Sequence, residues 1–309
     1  MIPLIHHPDY DAETVPEGHR FPMRKYSLVA EIMRERGARF VRPAPAPESW
    51  LKAVHAPDYV DAVMNQTLDR KTARKIGFEI TEAIARRSRS SVGGTYAAAT
   101  VALEYGAAAN LAGGSHHAGP DGGAGFCVFN DVSVAARRLL DEGRVNRIAV
   151  IDLDVHQGDG TALSFASDAR VFTFSMHCEQ NWPREKPPSD LDIGVEKATE
   201  DDVYLDTLEQ ALERVFEHTT PDLVFYNAGV DPHIDDRLGL LSLSDDGLKA
   251  RDTMVARTCI QRDIPLCGVL GGGYSTDARA VAQRHTYMID ALSEQYAACT
   301  PAPVRSGNL

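Results

Sequence analysis

Short apolar runs, each closed by a polar residue and followed by an amphipathic segment, recur along most of this chain. Residues 147–153, 171–176, 223–226 and 265–270 are four of them. They do not alternate apolar with polar positions, so they predict strands covered on both faces, as in a parallel sheet layered between helices. Between the runs, hydrophobic spacing predicts helices over 23–36, 57–65, 131–142, 200–219, 245–263 and 277–294, with another starting near Gly158. Asn130 and Ser244 are expected N-caps, and Gly37 and Gly143 expected helix stops. The alanine-rich stretch 90–112 predicts one long helix ending at Gly113-Gly114. Residues 178–193 contain Pro183, Pro187 and Pro188 among mixed charges and predict a long loop. The expected fold class is α/β: a doubly wound, mostly parallel sheet with helices on both faces. It forms a single domain over 1–300, followed by a disordered tail over 301–309.

Composition narrows the function classes. Of 309 residues, 43% are hydrophobic and 25% charged, which is ample for one large core. The formal net charge of −12 argues against nucleic-acid or anionic-membrane partners and favours a cationic substrate. Arg86, Arg87 and Arg89 read as a solvated helix face. Five widely spaced cysteines without a Cys-x-x-Cys predict neither a disulfide framework nor a zinc–thiolate cluster. The first ten residues lack the apolar stretch of a signal peptide, and no run approaches the roughly 18 apolar residues of a membrane span. A cytoplasmic location is the expectation; oligomeric state is not legible.

The candidate chemistry sits where the apolar runs end. Asp154 and His156 leave the strand over 147–153 two positions apart, on one side, as an oxygen and a nitrogen ligand for one divalent metal. Asp231 follows a second strand, and Gly271-Gly272-Gly273-Tyr274 follows a third. Ends of strands are where open α/β sheets place their sites. Two carboxylates and one imidazole leave a coordination position open, as a hydrolytic metal requires. His116 and His117, after Gly113-Gly114-Ser115, are a candidate base and acid, with Asp152 and Asp159 as carboxylate partners that set their tautomers. The Tyr274 phenol is placed to donate to a developing oxyanion. His6, His7, His55, His218, His233 and His285 read as satisfied core residues.

The blocks Gly-Gly-Ser-His-His-Ala-Gly-Pro, Gly-Phe-Cys-Val-Phe-Asn-Asp, Asp-Leu-Asp-Val-His-Gln-Gly-Asp-Gly, Phe-Ser-Met-His, Asn-Ala-Gly-Val-Asp-Pro and Gly-Gly-Gly-Tyr resemble the zinc-dependent histone deacetylase family. The match runs from about residue 5 to 295. The stretches 16–26 and 241–248 look most like bacterial members near its class IV branch. The resemblance implies the arginase/deacetylase fold and hydrolysis of an N-acyl amine, such as acyl-lysine in protein or an acetylpolyamine. It implies Zn²⁺ on Asp154, His156 and Asp231; catalytic roles for His116, His117 and Tyr274, with Asp152 and Asp159 behind the histidines; and an acyl-lysine tunnel at Gly125, Phe126, Trp182 and Gly272. Trp182 stands where the family usually has Phe, and Glu79 is only a weak counterpart of the family's rim carboxylate. It also implies a structural K⁺ near Asp152, Ser175 and Met176. Two other readings remain. An arginase-type manganese ureohydrolase needs an acid where Gly158 stands, and a catalytically silent acyl-binding module needs a missing ligand or tyrosine.

Overall fold

The computed structural model describes residues 1–299 apart from Glu13 and Glu17; the expected tail over 301–309 lies outside them. The strands are β1 (Leu4–Ile5), β2 (Phe40–Val41), β3 (Ala107–Asn110), β4 (Ile148–Asp152), β5 (Val171–Cys178), β6 (Leu191–Val195), β7 (Leu223–Asn227) and β8 (Leu266–Val269). They form one sheet in the order β2-β1-β3-β8-β7-β4-β5-β6, with every neighbouring pair parallel. The helices are α1 (Lys25–Glu35), α2 (Glu48–Leu51), α3 (Pro57–Met64), α4 (Arg70–Ile76), α5 (Glu82–Tyr105), α6 (Asp131–Asp141), α7 (Asp159–Phe165), α8 (Asp201–His218), α9 (Asp245–Ile260) and α10 (Ala278–Cys299).

Two cores sandwich the sheet, and the strands divide their residues between them. Ile148 and Val150 of β4, with Leu223 and Phe225 of β7, pack under α5, α6 and α7. Ala149 and Ile151, with Val224 and Tyr226, pack under α1, α8, α9 and α10. Both faces are therefore apolar, which is why the runs do not alternate. The expected helices reappear within a few residues of their bounds, and Asn130 and Ser244 accept hydrogen bonds from Ser133 N–H and Gly247 N–H as N-caps.

Several expectations are overturned. The stretch 90–112 is not one helix: α5 stops at Tyr105, Gly106 turns at φ +87°, and Ala107–Asn110 is a central strand between β1 and β8. Alanine favours helix locally, but here it lines both faces of a fully buried strand, where small side chains let α5 pack close. The stretch 178–193 is not all loop either. Its end belongs to β6, an edge strand that pairs with β5 and buries Leu191 and Val195. The arginine cluster also differs from a solvated face. Arg87 is buried and its Nε donates to Tyr10 O at 2.9 Å, while Arg86 pairs with Asp9 and Glu82.

His55 shows how a buried imidazole fixes the loops around the site. Its Nδ1 lies 2.8 Å from Gly119 O, and its Nε2 accepts from Asn130 N–H at 3.0 Å, so the neutral tautomer satisfies both nitrogens. Burial pushes its pKa down to about 4. The unfolded chain therefore takes up a proton below about pH 6.5 while the folded chain does not. This contribution to stability is complete above pH 6.5 and declines as pH falls toward 4. In chelator, urea melts of wild type and His55→Gln should show a destabilisation at pH 7.5 that shrinks by about 2 kcal/mol at pH 5. An equal difference at both pH values would contradict this. His7 and His233 also accept backbone N–H groups, but His218 is exposed, and neither ring nitrogen of buried His285 is hydrogen-bonded.

Candidate metal centre and active site

Strands β3, β8, β7 and β4 are neighbours in the middle of the sheet, and the loops after all four converge at their carboxyl ends. Asp154 and His156 lie in the turn after β4, and Asp231 follows β7; their donor atoms all fall within 4.8 Å of one another. His156 Nδ1 is 3.0 Å from Asp154 Oδ1 and 3.2 Å from Asp231 Oδ2. Backbone N–H groups fix the carboxylates. Val155 donates to Asp231 Oδ1 at 2.9 Å, and Gly272 donates to Asp154 Oδ2 at 2.7 Å. Glycine is required at 229 and 272, because a Cβ at either would collide with these carboxylates.

The remaining Asp231 oxygen, Oδ2, is buried without a well-formed hydrogen bond, its nearest donor atom being His156 Nδ1 at 3.2 Å. A buried carboxylate oxygen left in this state fits a bound cation. Burial and the neighbouring Asp154 push Asp231 up to about 7. His156, lowered by burial, is pulled up to about 10 by Asp154 and Asp231. A two-carboxylate, one-imidazole donor set fits a single divalent ion with open positions.

Gly113 and Gly114, at φ +85° and +83°, turn the chain into His116 and His117. The turn is held by Asp131, whose carboxylate accepts from Gly114 N–H at 3.2 Å and Ser115 N–H at 2.8 Å. Each histidine meets its expected partner: His116 Nδ1 is 2.7 Å from Asp152 Oδ2, and His117 Nδ1 is 2.6 Å from Asp159 Oδ1. Asp152 is oriented in turn by Asn227 Nδ2 at 2.9 Å. With Nδ1 so engaged, both Nε2 atoms are left for chemistry. The rings lie 4.0 Å apart, yet their charges diverge. Burial would lower His116, but Asp152 and Asp154 reverse this and raise it to about 9. Burial and the neighbouring His116 push His117 down to about 4.

Tyr274 is buried beside this pair, its ring 6.2 Å from His156 and 5.8 Å from Phe126. Asp236 clamps its backbone, accepting from Tyr274 N–H at 2.6 Å and from Leu238 and Gly239 N–H. Lys25 Nζ donates to Gly271 O at 2.8 Å, and burial brings this lysine down to about 8. Gly125 (φ +51°) lets the His117 ring and Trp182 close in, since a Cβ there would sit 2.7 Å from His117 Cδ2 and 3.0 Å from Trp182 Cζ3. The Trp182 indole stands edge-on to His117 at 4.5 Å and is 44% exposed, so it belongs to the mouth. A cavity of about 20 Å³ lies below, lined by Tyr26, Arg87, His116, Phe126, Asp154 and Tyr274, among others. Asp152 and Ser175 are register partners in β4 and β5, with Met176 next in line; Ser175 Oγ lies 3.0 Å from His177 Nδ1. Glu79 is exposed.

A parallel α/β sheet with an Asp-His-Asp triad, two carboxylate-backed histidines and a clamped tyrosine presents a hydrolase-type site built around a candidate metal-binding triad. The model of the histone deacetylase domain matches residues 19–292. An uncharacterized protein of the cyanobacterium Picosynechococcus sp. is 44% identical over 96% of this chain and 99% of its own length. Histone deacetylase 2 of Arabidopsis thaliana is 33% identical, covering 95% and 79% of the two chains, and an acetoin utilization protein AcuC of Staphylococcus aureus is 29% identical over 94% and 79%. The crystal structure of an HDA15 HD domain superposes with a TM-score of 0.79 at 20% identity, covering 98% and 90%, which supports the fold. The chain belongs to the histone deacetylase family, a family of deacetylase-type hydrolases.

Proposed function

We propose that this protein is a zinc-dependent amidohydrolase that releases the acyl group of an N-acylated amine, with acyl-lysine in a peptide or protein as the first substrate class. The observation that carries the reading is the convergence of the His116–His117 pair and Tyr274 on the Asp154-His156-Asp231 cluster. A divalent ion held by those three residues supplies Lewis acidity to the amide carbonyl and to water. His117, neutral and with Nε2 free, takes the proton of the attacking water and returns it to the leaving nitrogen. Asp159 fixes its tautomer. His116, tied to Asp152, contributes charge beside the reacting centre. The Tyr274 hydroxyl donates to the carbonyl oxygen as negative charge develops there. Phe126 and Trp182 exclude water around the substrate's methylenes. A potassium ion beside Asp152, Ser175 and Met176 belongs to the same proposal, supported by the adjacency of those residues in β4 and β5. Two observations weigh against a two-manganese ureohydrolase: Gly158 stands where its extra carboxylate is needed, and a Cβ there would already collide with Asp152.

Tyr274→Phe tests the reading. Turnover of an acetyl-lysine peptide should fall by ~10²–10³ with zinc content unchanged. Near-normal turnover would remove Tyr274 from the chemistry.

A further inference from the structure

The whole chain is acidic, but the surroundings of the tunnel wall are not. Phe126 packs against Phe21 at 5.4 Å and Phe78 at 5.5 Å, two rings that also touch each other at 5.3 Å. Beside Phe21 opens a cavity of about 940 Å³ that carries Arg20, Arg24 and Arg237 against, among the described residues, one carboxylate, Asp11, and reaches Ser275 and Thr276 just after Tyr274. Beside Phe78, a shallower hollow of about 440 Å³ carries Arg70 and Arg74 against Glu79. Asp11 is already engaged by Ser27 N–H at 3.3 Å. Glu13 and Glu17 lie outside the described residues.

Some arginines elsewhere meet a carboxylate, namely Arg36, Arg86, Arg137, Arg138, Arg170, Arg251, Arg279 and Arg284, while others, such as Arg89, Arg144 and Arg262, bond only to carbonyl or hydroxyl oxygens. None of the five around the mouth meets a carboxylate among the described residues. Guanidinium groups left without counter-charges, over an apolar wall and a few residues from the catalytic tyrosine, form a receptor for an anion. Their planar forks suit carboxylate or phosphate oxygens. A polycationic chain threaded here would instead meet like charge.

We propose that the substrate carries an anionic group, a carboxylate or a phosphate, beyond the scissile amide, and that Arg20, Arg24 and Arg237 select for it. This rests on the amidohydrolase reading and reverses the preference that net charge alone suggests. The group is either an acidic side chain flanking the acyl-lysine or the anion of a small acyl amide.

The test compares, on the zinc-loaded protein, acetyl-lysine peptides flanked by Glu, Ser or Lys, together with free Nε-acetyl-lysine against its α-carboxamide and with acetylspermidine. The Glu peptide should exceed the Lys peptide by about tenfold in kcat/KM, carried by KM, and the gap should narrow as salt rises from about 0.05 to about 0.5 M. A preference confined to free acetyl-lysine over its carboxamide assigns the anion to a small molecule. The double variant Arg24→Gln, Arg237→Gln should bring the Glu-to-Lys ratio, or the acetyl-lysine-to-carboxamide ratio, to within about threefold. Equal rates throughout, or a preference for Lys peptide or acetylspermidine, overturn the proposal. If nothing is hydrolysed, the amidohydrolase reading fails, and the arginines are judged by fluorescence anisotropy of the labelled Glu peptide. Salt-sensitive binding weakened by the double variant supports an anion site there; equal binding of Glu and Lys peptides overturns it.

Discussion

Asp231→Asn is expected to abolish activity and zinc retention while making the metal-free protein more stable. The variant keeps shape and the hydrogen bond from Val155 N–H to Oδ1. It removes the charge on Oδ2, the oxygen that faces His156 Nδ1 without a well-formed hydrogen bond. With zinc, that loss takes away an anionic ligand, so turnover should fall at least ~10³-fold, into the range left when a catalytic centre is broken. Without zinc the sign reverses. Burial and Asp154 hold Asp231 up at about 7, well above an unfolded carboxylate near 3.8. Between those values the folded state binds the extra proton, so stability is lost as pH rises from about 4 through 7. Asparagine has no such cost. Melting in chelator at pH 8 should therefore place Asp231→Asn above wild type, and melting in zinc should place it below. A variant less stable than wild type in both conditions would mean that Asp231 is a structural hydrogen-bonding residue, and the metal reading would lose its main support.

The candidate-site residues that come at the ends of β4, β7 and β8 were legible in the sequence because each closes or follows a buried apolar run. Asp152, Asp154, His156 and Asp231 had to emerge at one edge once those runs were parallel strands, and the structure brings them together with His116, His117 and Tyr274. The residues that hold them were not legible. Asp131 reads as an ordinary first-turn acid of α6, yet it fastens the turn before His116. Asp236 sits in a polar loop with no pattern, yet it clamps Tyr274. Their partners are backbone N–H groups 16, 17 and 38 residues away, and a backbone donor leaves no mark in a sequence. A partial signal existed for Lys25, a lone charge among the buried positions of α1, and for the adjacent pair Arg251 and Asp252 among those of α9. Strand β3 failed for a different reason. Alanine's local preference for helix is outweighed by pairing with β1 and β8, which only the assembled sheet supplies.

Arg251→Met should cost about 3–5 kcal/mol, the largest stability effect expected of a single substitution outside the metal cluster. Arg251 is fully buried. Its Nη1 donates to Gly229 O at 2.6 Å and to Leu153 O at 3.3 Å, while Nε and Nη2 lie 2.9 and 2.8 Å from Asp252 Oδ1. Those carbonyls belong to the turns that carry Asp231 and Asp154, so one guanidinium joins both loops of the candidate metal cluster. Methionine fills the volume but leaves two carbonyls without a donor and Asp252 as a buried acid whose charge partner is gone. Asp252 is already held above its ordinary range by burial, with Arg251 opposing the rise. The double variant Arg251→Met, Asp252→Leu should recover a large part of the loss, because it removes the isolated charge as well. It should not recover zinc affinity, because the loops stay untied. Urea melts in chelator and zinc titrations separate the two effects. If Arg251→Met melts within about 1 kcal/mol of wild type, or binds zinc equally well, the guanidinium is not what joins the loops.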